Sequence, residues 1–87
     1  MNFLYILRSE RNGRYYVGST NNLERRLVEH NAGKTKSLRY LRPFSIVFKK
    51  EFVELQEARR VEQKLKKMKS RDIIERIIKD QEMKLGL

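Results

Sequence analysis

Cysteine is absent from the 87 residues, and histidine occurs once. The first absence excludes a disulfide framework, a thiolate zinc site and a cysteine nucleophile. The second excludes a multi-histidine metal centre. Any metal must then be a hard ion held by oxygen: magnesium or manganese on one or two carboxylates, completed by water and substrate. Long apolar runs are missing as well. No segment approaches the ~20 apolar residues of a membrane span, and the N-terminus lacks a charged-then-apolar secretory signal. The expected location is the cytoplasm.

Acidic residues are the scarcer sign, 11 against 21 lysines and arginines, which leaves a formal charge of +10. On so short a chain that field attracts polyanions by counterion release and steers their encounter. Nucleic acid is the first partner class it suggests, with acidic membrane surfaces the other. The length allows one domain, residues 1–87, with a modest core and no room for a separately folding targeting module. Charged residues make up 37% and hydrophobic ones 39%. Such a chain is polar for a globular protein yet too rich in periodic apolar positions for a disordered one. No internal repeat, low-complexity tract or clear linker interrupts it.

Phe3-Leu4-Tyr5-Ile6-Leu7 is a short, aromatic-rich apolar run that suits a buried strand. Asn12-Gly13 signals a turn, because both residues tolerate positive φ. An extended pattern resumes around Tyr15, Tyr16 and Val17, so the first 19 residues are predicted to form a hairpin. If Arg8 pairs with Gly13, Tyr5 stands opposite Tyr16 on the same face. Asn21 or Asn22 can cap a helix over about Asn22 to Ala32, with Gly33 just past its end. At 100° per residue from Leu23, Leu27 lies at about 40°, Arg26 at about 300° and His30 at about 340°. One face thus carries Leu23, Leu27 and His30, with Arg26 beside them.

Gly33 to Pro43 reads as a basic loop in which Lys34, Lys36, Arg39 and Arg42 alternate with Thr35, Ser37 and Tyr40. It is either a surface for phosphates or an ordinary solvated loop. Phe44 to Phe52 reads as a third strand with apolar residues on both parities, covered on both faces or bent at Lys49-Lys50. From Leu55 the period becomes helical. With Ala58 at 0°, Val61 falls at about 300°, Leu65 at about 340°, and Glu62 at about 40°, inside the apolar stripe. A carboxylate there is costly unless it is paired, hydrogen-bonded or holding a cation. Lys64, Lys66, Lys67, Lys69 and Arg71 then form a dense basic run, a solvated face or a phosphate-binding one. Ser70 can cap a last helix bearing Ile73, Ile74, Ile77 and Ile78.

The predicted order is β-β-α-β-α-α, an α+β fold with a small three-stranded antiparallel sheet flanked by helices. In this order the chain resembles the GIY-YIG nucleases, specifically their small, single-domain bacterial members. Phe3-Leu4-Tyr5 stands for the first half-motif and Tyr16-Val17-Gly18 for the second. Arg26 and His30 follow at the family's helix positions, and Glu62 stands where its metal-binding glutamate is expected. Phe3 and Leu4 replace the first motif's glycine and isoleucine while preserving a strand. Ser19 occupies a position that is lysine in some relatives.

The resemblance implies a divalent-metal-dependent endonuclease acting on DNA, such as structured or repair-related DNA. It further implies Tyr5, Tyr16, Arg26, His30 and Glu62 as its catalytic set and Mg2+ or Mn2+ on Glu62. Lys34, Lys36, Arg39, Lys64, Lys66 and Lys67 are the cations expected on nucleic acid. With no targeting module, specificity is expected to come either from DNA shape or from a partner protein. Phosphodiester hydrolysis needs an in-line water, charge neutralisation at phosphorus and a stabilised leaving oxygen. Arg26 suits the second need, and either tyrosine suits deprotonation of the water if a nearby cation favours its phenolate. His30 would hydrogen-bond a tyrosine, shuttle a proton, contact phosphate or simply pack. Tyr15 and Tyr40 either stack on a base or pack. The alternative is a nucleic-acid-binding module that keeps the fold without catalysis.

Overall fold

The structure, a computed structural model, describes residues 1–34 and 36–83, so Thr35 of the basic loop lies outside the described residues. Its elements are β1 (Asn2–Ser9), β2 (Tyr15–Thr20), α1 (Leu23–Asn31), a short 3-10 helix (Lys36–Leu41), β3 (Phe44–Phe52), α2 (Leu55–Met68) and α3 (Arg71–Asp80). The sheet is antiparallel with order β2-β1-β3, which places the most apolar strand in the middle. The predicted order and sheet are therefore present, and the 3-10 helix is an addition inside the basic loop.

Central β1 buries both of its faces. Leu4 and Ile6 join Phe48, Val61, Leu65 and Ile77 beneath α2 and α3. Tyr5 and Leu7 join Leu41 and Phe44, with Leu23 and Leu27 of α1 packed against them. The mixed parity of β3 has a local cause. Ile6 pairs with Phe48 but Leu7 pairs with Ile46, so Val47 is an extra residue in the ladder. This bulge switches the inward parity, sending Ile46 to the α1 face and Phe48 to the α2 face. The expected bend at Lys49-Lys50 is thus replaced by a bulge two residues earlier.

The hairpin register also differs from the expected one. Tyr5 pairs with Gly18 and Leu7 with Tyr16, a shift of two residues that keeps both tyrosines on one face but diagonal to each other. The cause is Ser9, which is fully buried. Its hydroxyl donates to Leu41 O at 2.7 Å and accepts from the amides of Arg11 at 3.1 Å and Asn12 at 3.3 Å, holding a wider turn open. Ser9→Ala leaves these groups without their partner, and we expect a loss of about 1–3 kcal/mol in urea denaturation.

Helix ends follow the capping residues. Asn22 accepts from Arg25 N at 3.0 Å at the start of α1, and Ser70 accepts from Ile73 N at 3.3 Å at the start of α3. Gly33 takes φ +78° just beyond α1, the left-handed geometry expected of it. Asn31 then ties α1 to β3, accepting from Phe44 N at 2.7 Å and donating to Phe44 O at 3.3 Å.

Candidate active site

Helix α2 lies over β1 and β2, and its buried stripe is Ala58, Val61 and Leu65. Glu62 sits at the border of that stripe, beside edge strand β2, where Ser19 Oγ donates to its Oε1 at 2.5 Å. The Lys66 ammonium, one turn further along α2, lies 2.6 Å from its Oε2. The carboxylate on the apolar stripe is therefore hydrogen-bonded and paired, with its side chain 14% exposed.

The phenols arrive from the other face of the sheet. Tyr5 is buried, and its hydroxyl accepts from Arg26 Nε at 3.3 Å. Arg26 also pairs with Glu29 at 3.5 Å. The bond to Tyr5 is the main reason the guanidinium is held above its ordinary protonation range. Tyr16 packs edge-on against Phe44 with ring centroids 5.7 Å apart. His30 packs against the same Phe44 at 5.6 Å and against Tyr5 at 6.5 Å. Phe44 thus fixes two of the candidate side chains, a role that its position in a strand did not announce.

His30 makes no hydrogen bond to either tyrosine, and its Nδ1 is buried without a partner among the described residues. Burial, and secondarily the charge of Arg26, pushes its protonation below the ordinary value of 6.5. The imidazole is therefore neutral at pH 7. The unfolded chain binds the proton more readily than the folded one, so stability is level above pH 6.5 and falls as pH drops below it. Thermal melts should show this fall in the native chain and a smaller one in His30→Phe over the same interval.

Tyr5, Tyr16, Arg26, His30 and Glu62 all line one cavity of about 560 Å3. It straddles β2: Tyr5 and Tyr16 enter from the α1 face, while Ser19 and Glu62 enter from the α2 face. Gly18 is what lets the Tyr5 ring lie against β2. Tyr5 lies across it so closely that a Cβ built there would stand 2.5 Å from Tyr5 Cζ. The cavity wall carries five cations, Arg14, Arg26, Lys66, Lys69 and Arg71, against the single carboxylate of Glu62. Arg71 is braced over the Tyr15 ring at 4.8 Å, which gives that tyrosine a packing role.

Of the cations expected on nucleic acid, Lys66 alone lines this cavity; Lys34, Lys36, Arg39, Lys64 and Lys67 do not. Arg39 instead donates to Gly33 O at 3.0 Å. Lys69 and Arg71 of the basic run also line the cavity, whereas Arg14, in the hairpin, carries no signal in the sequence that marks it.

The donor set suits a magnesium-like ion. Glu62 is the one carboxylate on the cavity wall, its Oε2 already attracts a cation in the form of Lys66, and that lysine is half exposed. Among the described residues no group of three or more His, Cys, Asp or Glu side chains is gathered for a metal. Such a site leaves most of the coordination to water and phosphate, as magnesium prefers. No helix among the described residues is long and apolar enough to cross a membrane.

The GIY-YIG catalytic domain profile matches residues 1–79. The UPF0213 protein OB0043 of Oceanobacillus iheyensis is 40% identical over 67 residues, covering 76% of this chain and 77% of that protein. A UPF0213 protein of Streptococcus pneumoniae is 37% identical over 68 residues, covering 77% of this chain and 68% of that one. Among solved structures, the solution structure of the UPF0213 protein BH0048 from Bacillus halodurans is similar, with a TM-score of 0.56 and 34% identity. That likeness covers 91% of this chain and 84% of the other.

Proposed function

Because the chain belongs to the GIY-YIG catalytic domain family, whose members are generally endonucleases, we propose that it is a divalent-metal-dependent endonuclease. Its reaction would be hydrolysis of phosphodiester bonds in DNA, with structured or repair-related DNA as substrate. The observation that carries this reading is the convergence of the Tyr5-Arg26 pair and the Glu62 carboxylate on one cavity walled by cations.

Arg26, permanently charged and held by Tyr5, neutralises charge that develops on the phosphoryl oxygens. Tyr5 is the better placed base for the attacking water: its hydroxyl proton, without an acceptor among the described residues, leaves to solvent, and the phenolate oxygen, with Arg26 Nε donating to it, takes up the proton of the water. Tyr16 lies diagonally across on the same face and orients the phosphate or the water. Glu62 would hold magnesium or manganese, which supplies Lewis-acid neutralisation at the scissile phosphate when bound. Ser19 keeps one carboxylate oxygen oriented. His30, neutral and packed on Phe44, fixes the Tyr5 ring from behind. Arg14, Lys66, Lys69 and Arg71 receive the backbone on either side of the β2 edge, and the more distant lysines add to the attracting field.

One observation favours the non-catalytic reading: both oxygens of Glu62 have protein partners. Incubation with branched, nicked and supercoiled DNA in magnesium or manganese separates the two. The nuclease reading expects cleavage that disappears in Glu62→Ala and Arg26→Ala. Cleavage persisting in both variants sinks the assignment, and salt-sensitive binding without cleavage of any substrate establishes the binding module instead.

A further inference from the structure

A second recess of about 270 Å3 adjoins the cavity and shares Ser19 and Arg26 with it. Its remaining polar wall includes Arg25 from α1, Arg59 from α2, Asn21 and Glu29. The charges in it are unbalanced. Glu29, the only carboxylate on its wall, is engaged by Arg26 at 3.5 Å. Arg25 donates to the neutral Asn21 side chain at 3.3 Å, and Arg59 has no ion pair or hydrogen bond among the described residues. Two guanidiniums from different helices thus line one recess with no ion pair of their own among the described residues.

Their position relative to Glu62 gives this meaning. Arg59, Glu62 and Lys66 are separated by three and four residues, which puts them on one stripe of α2. At 1.5 Å per residue, Arg59 lies about 4.5 Å before Glu62 along the helix axis and Lys66 about 6 Å after it. Cations therefore flank the carboxylate on both sides, and the Arg59 side is reinforced by Arg25 across the recess.

We propose that this recess is a phosphate subsite, in which Arg25 and Arg59 grip the DNA backbone phosphate neighbouring the one held at Arg26 and Glu62. Guanidiniums suit this task, since their planar forks meet phosphate oxygens in pairs. The recess sets the register of the strand, while the larger cavity receives the reacting phosphate. The inference rests on the larger cavity being the phosphodiester site.

The test compares Arg25→Ala/Arg59→Ala with the native chain by fluorescence anisotropy on fluorescein-labelled duplex and single-stranded DNA, without divalent metal. Both side chains are exposed, and melting curves verify that the variant folds. Affinity at 0.1 M salt should fall about tenfold, and the slope of log K against log salt should shrink by about one for each arginine removed. Lys64→Ala/Lys67→Ala removes the same charge outside both recesses and should cost less. A scan of single neutral methylphosphonate linkages should find one position that weakens the native chain and leaves the double variant unaffected. An equal loss in both double variants, or no position with that coupling, overturns the subsite. Cleavage by the native chain is followed in parallel: its absence defeats the nuclease reading, whereas cleavage with an unchanged salt slope in Arg25→Ala/Arg59→Ala defeats the subsite alone.

Discussion

Glu62→Gln should lower the rate of DNA cleavage by at least about 10²–10³-fold, the scale seen when one preorganised electrostatic group is lost from a hydrolytic site. The substitution isolates charge from shape. A glutamine carbonyl can still accept from Ser19 Oγ, which now donates to Oε1 at 2.5 Å, so the position of the side chain beside β2 is retained. What disappears is the negative charge that attracts Lys66 and would hold a divalent ion. The Glu62-Lys66 pair has one half-exposed partner, so its loss costs about 0–1 kcal/mol and the protein should melt nearly as the native chain does. Single-turnover cleavage and a thermal melt on the same preparation check both statements. Full activity in Glu62→Gln would remove the carboxylate from the chemistry.

Gly18→Ala should damage both folding and activity, although it adds one methyl group. The new Cβ would stand 2.5 Å from Tyr5 Cζ and 2.9 Å from Cε2, closer than real Cβ contacts come. Tyr5 is buried and confined by α1, so the ring must tilt or the strands must separate. Overpacking of this kind costs about 1–3 kcal/mol. The ring displacement also breaks the 3.3 Å bond from Arg26 to the Tyr5 hydroxyl, so cleavage should fall further than the lost stability explains. Gly18→Ala/Tyr5→Leu removes the clashing ring atoms and should be more stable than the two single effects sum to, while remaining inactive. Urea denaturation of the four proteins measures the coupling. Additive losses would show that Gly18 is not there for the tyrosine.

The glycine of Tyr16-Val17-Gly18 illustrates how far local sequence carries. Its presence at the end of a strand is legible as a break in side-chain packing, but the partner that requires it is 13 residues earlier and is set by a register the turn chemistry leaves open. The Asn12-Gly13 signal locates the hairpin correctly. The width of its turn depends on Ser9 reaching Leu41 O, a contact 32 residues away. The same holds for β3, where apolar residues on both parities announce two covered faces, and the bulge at Val47 that reconciles them depends on pairing with β1.

The basic residues show the opposite failing. Composition groups Lys64, Lys66 and Lys67 together, yet a helix separates them by 100° steps, and only Lys66 shares the face of Glu62. Arg25 and Arg59 belong to different helices, and no spacing within either one predicts that they share a recess.

The sequence by itself determined the order of the strands and α-helices, the apolar face of each helix, the anomaly of a carboxylate at position 62, and the exclusion of cysteine and multi-histidine chemistry. These are local properties, fixed by period, capping and composition. The tertiary structure decided that Tyr5 and Glu62, approaching from opposite faces of the sheet, line one cavity around edge strand β2, with Tyr5 laid across Gly18. It also decided which cations surround them. Periodicity tells which face of an element is apolar; it cannot tell which side of the sheet that element will cover, because that choice is made by the packing of all of them at once.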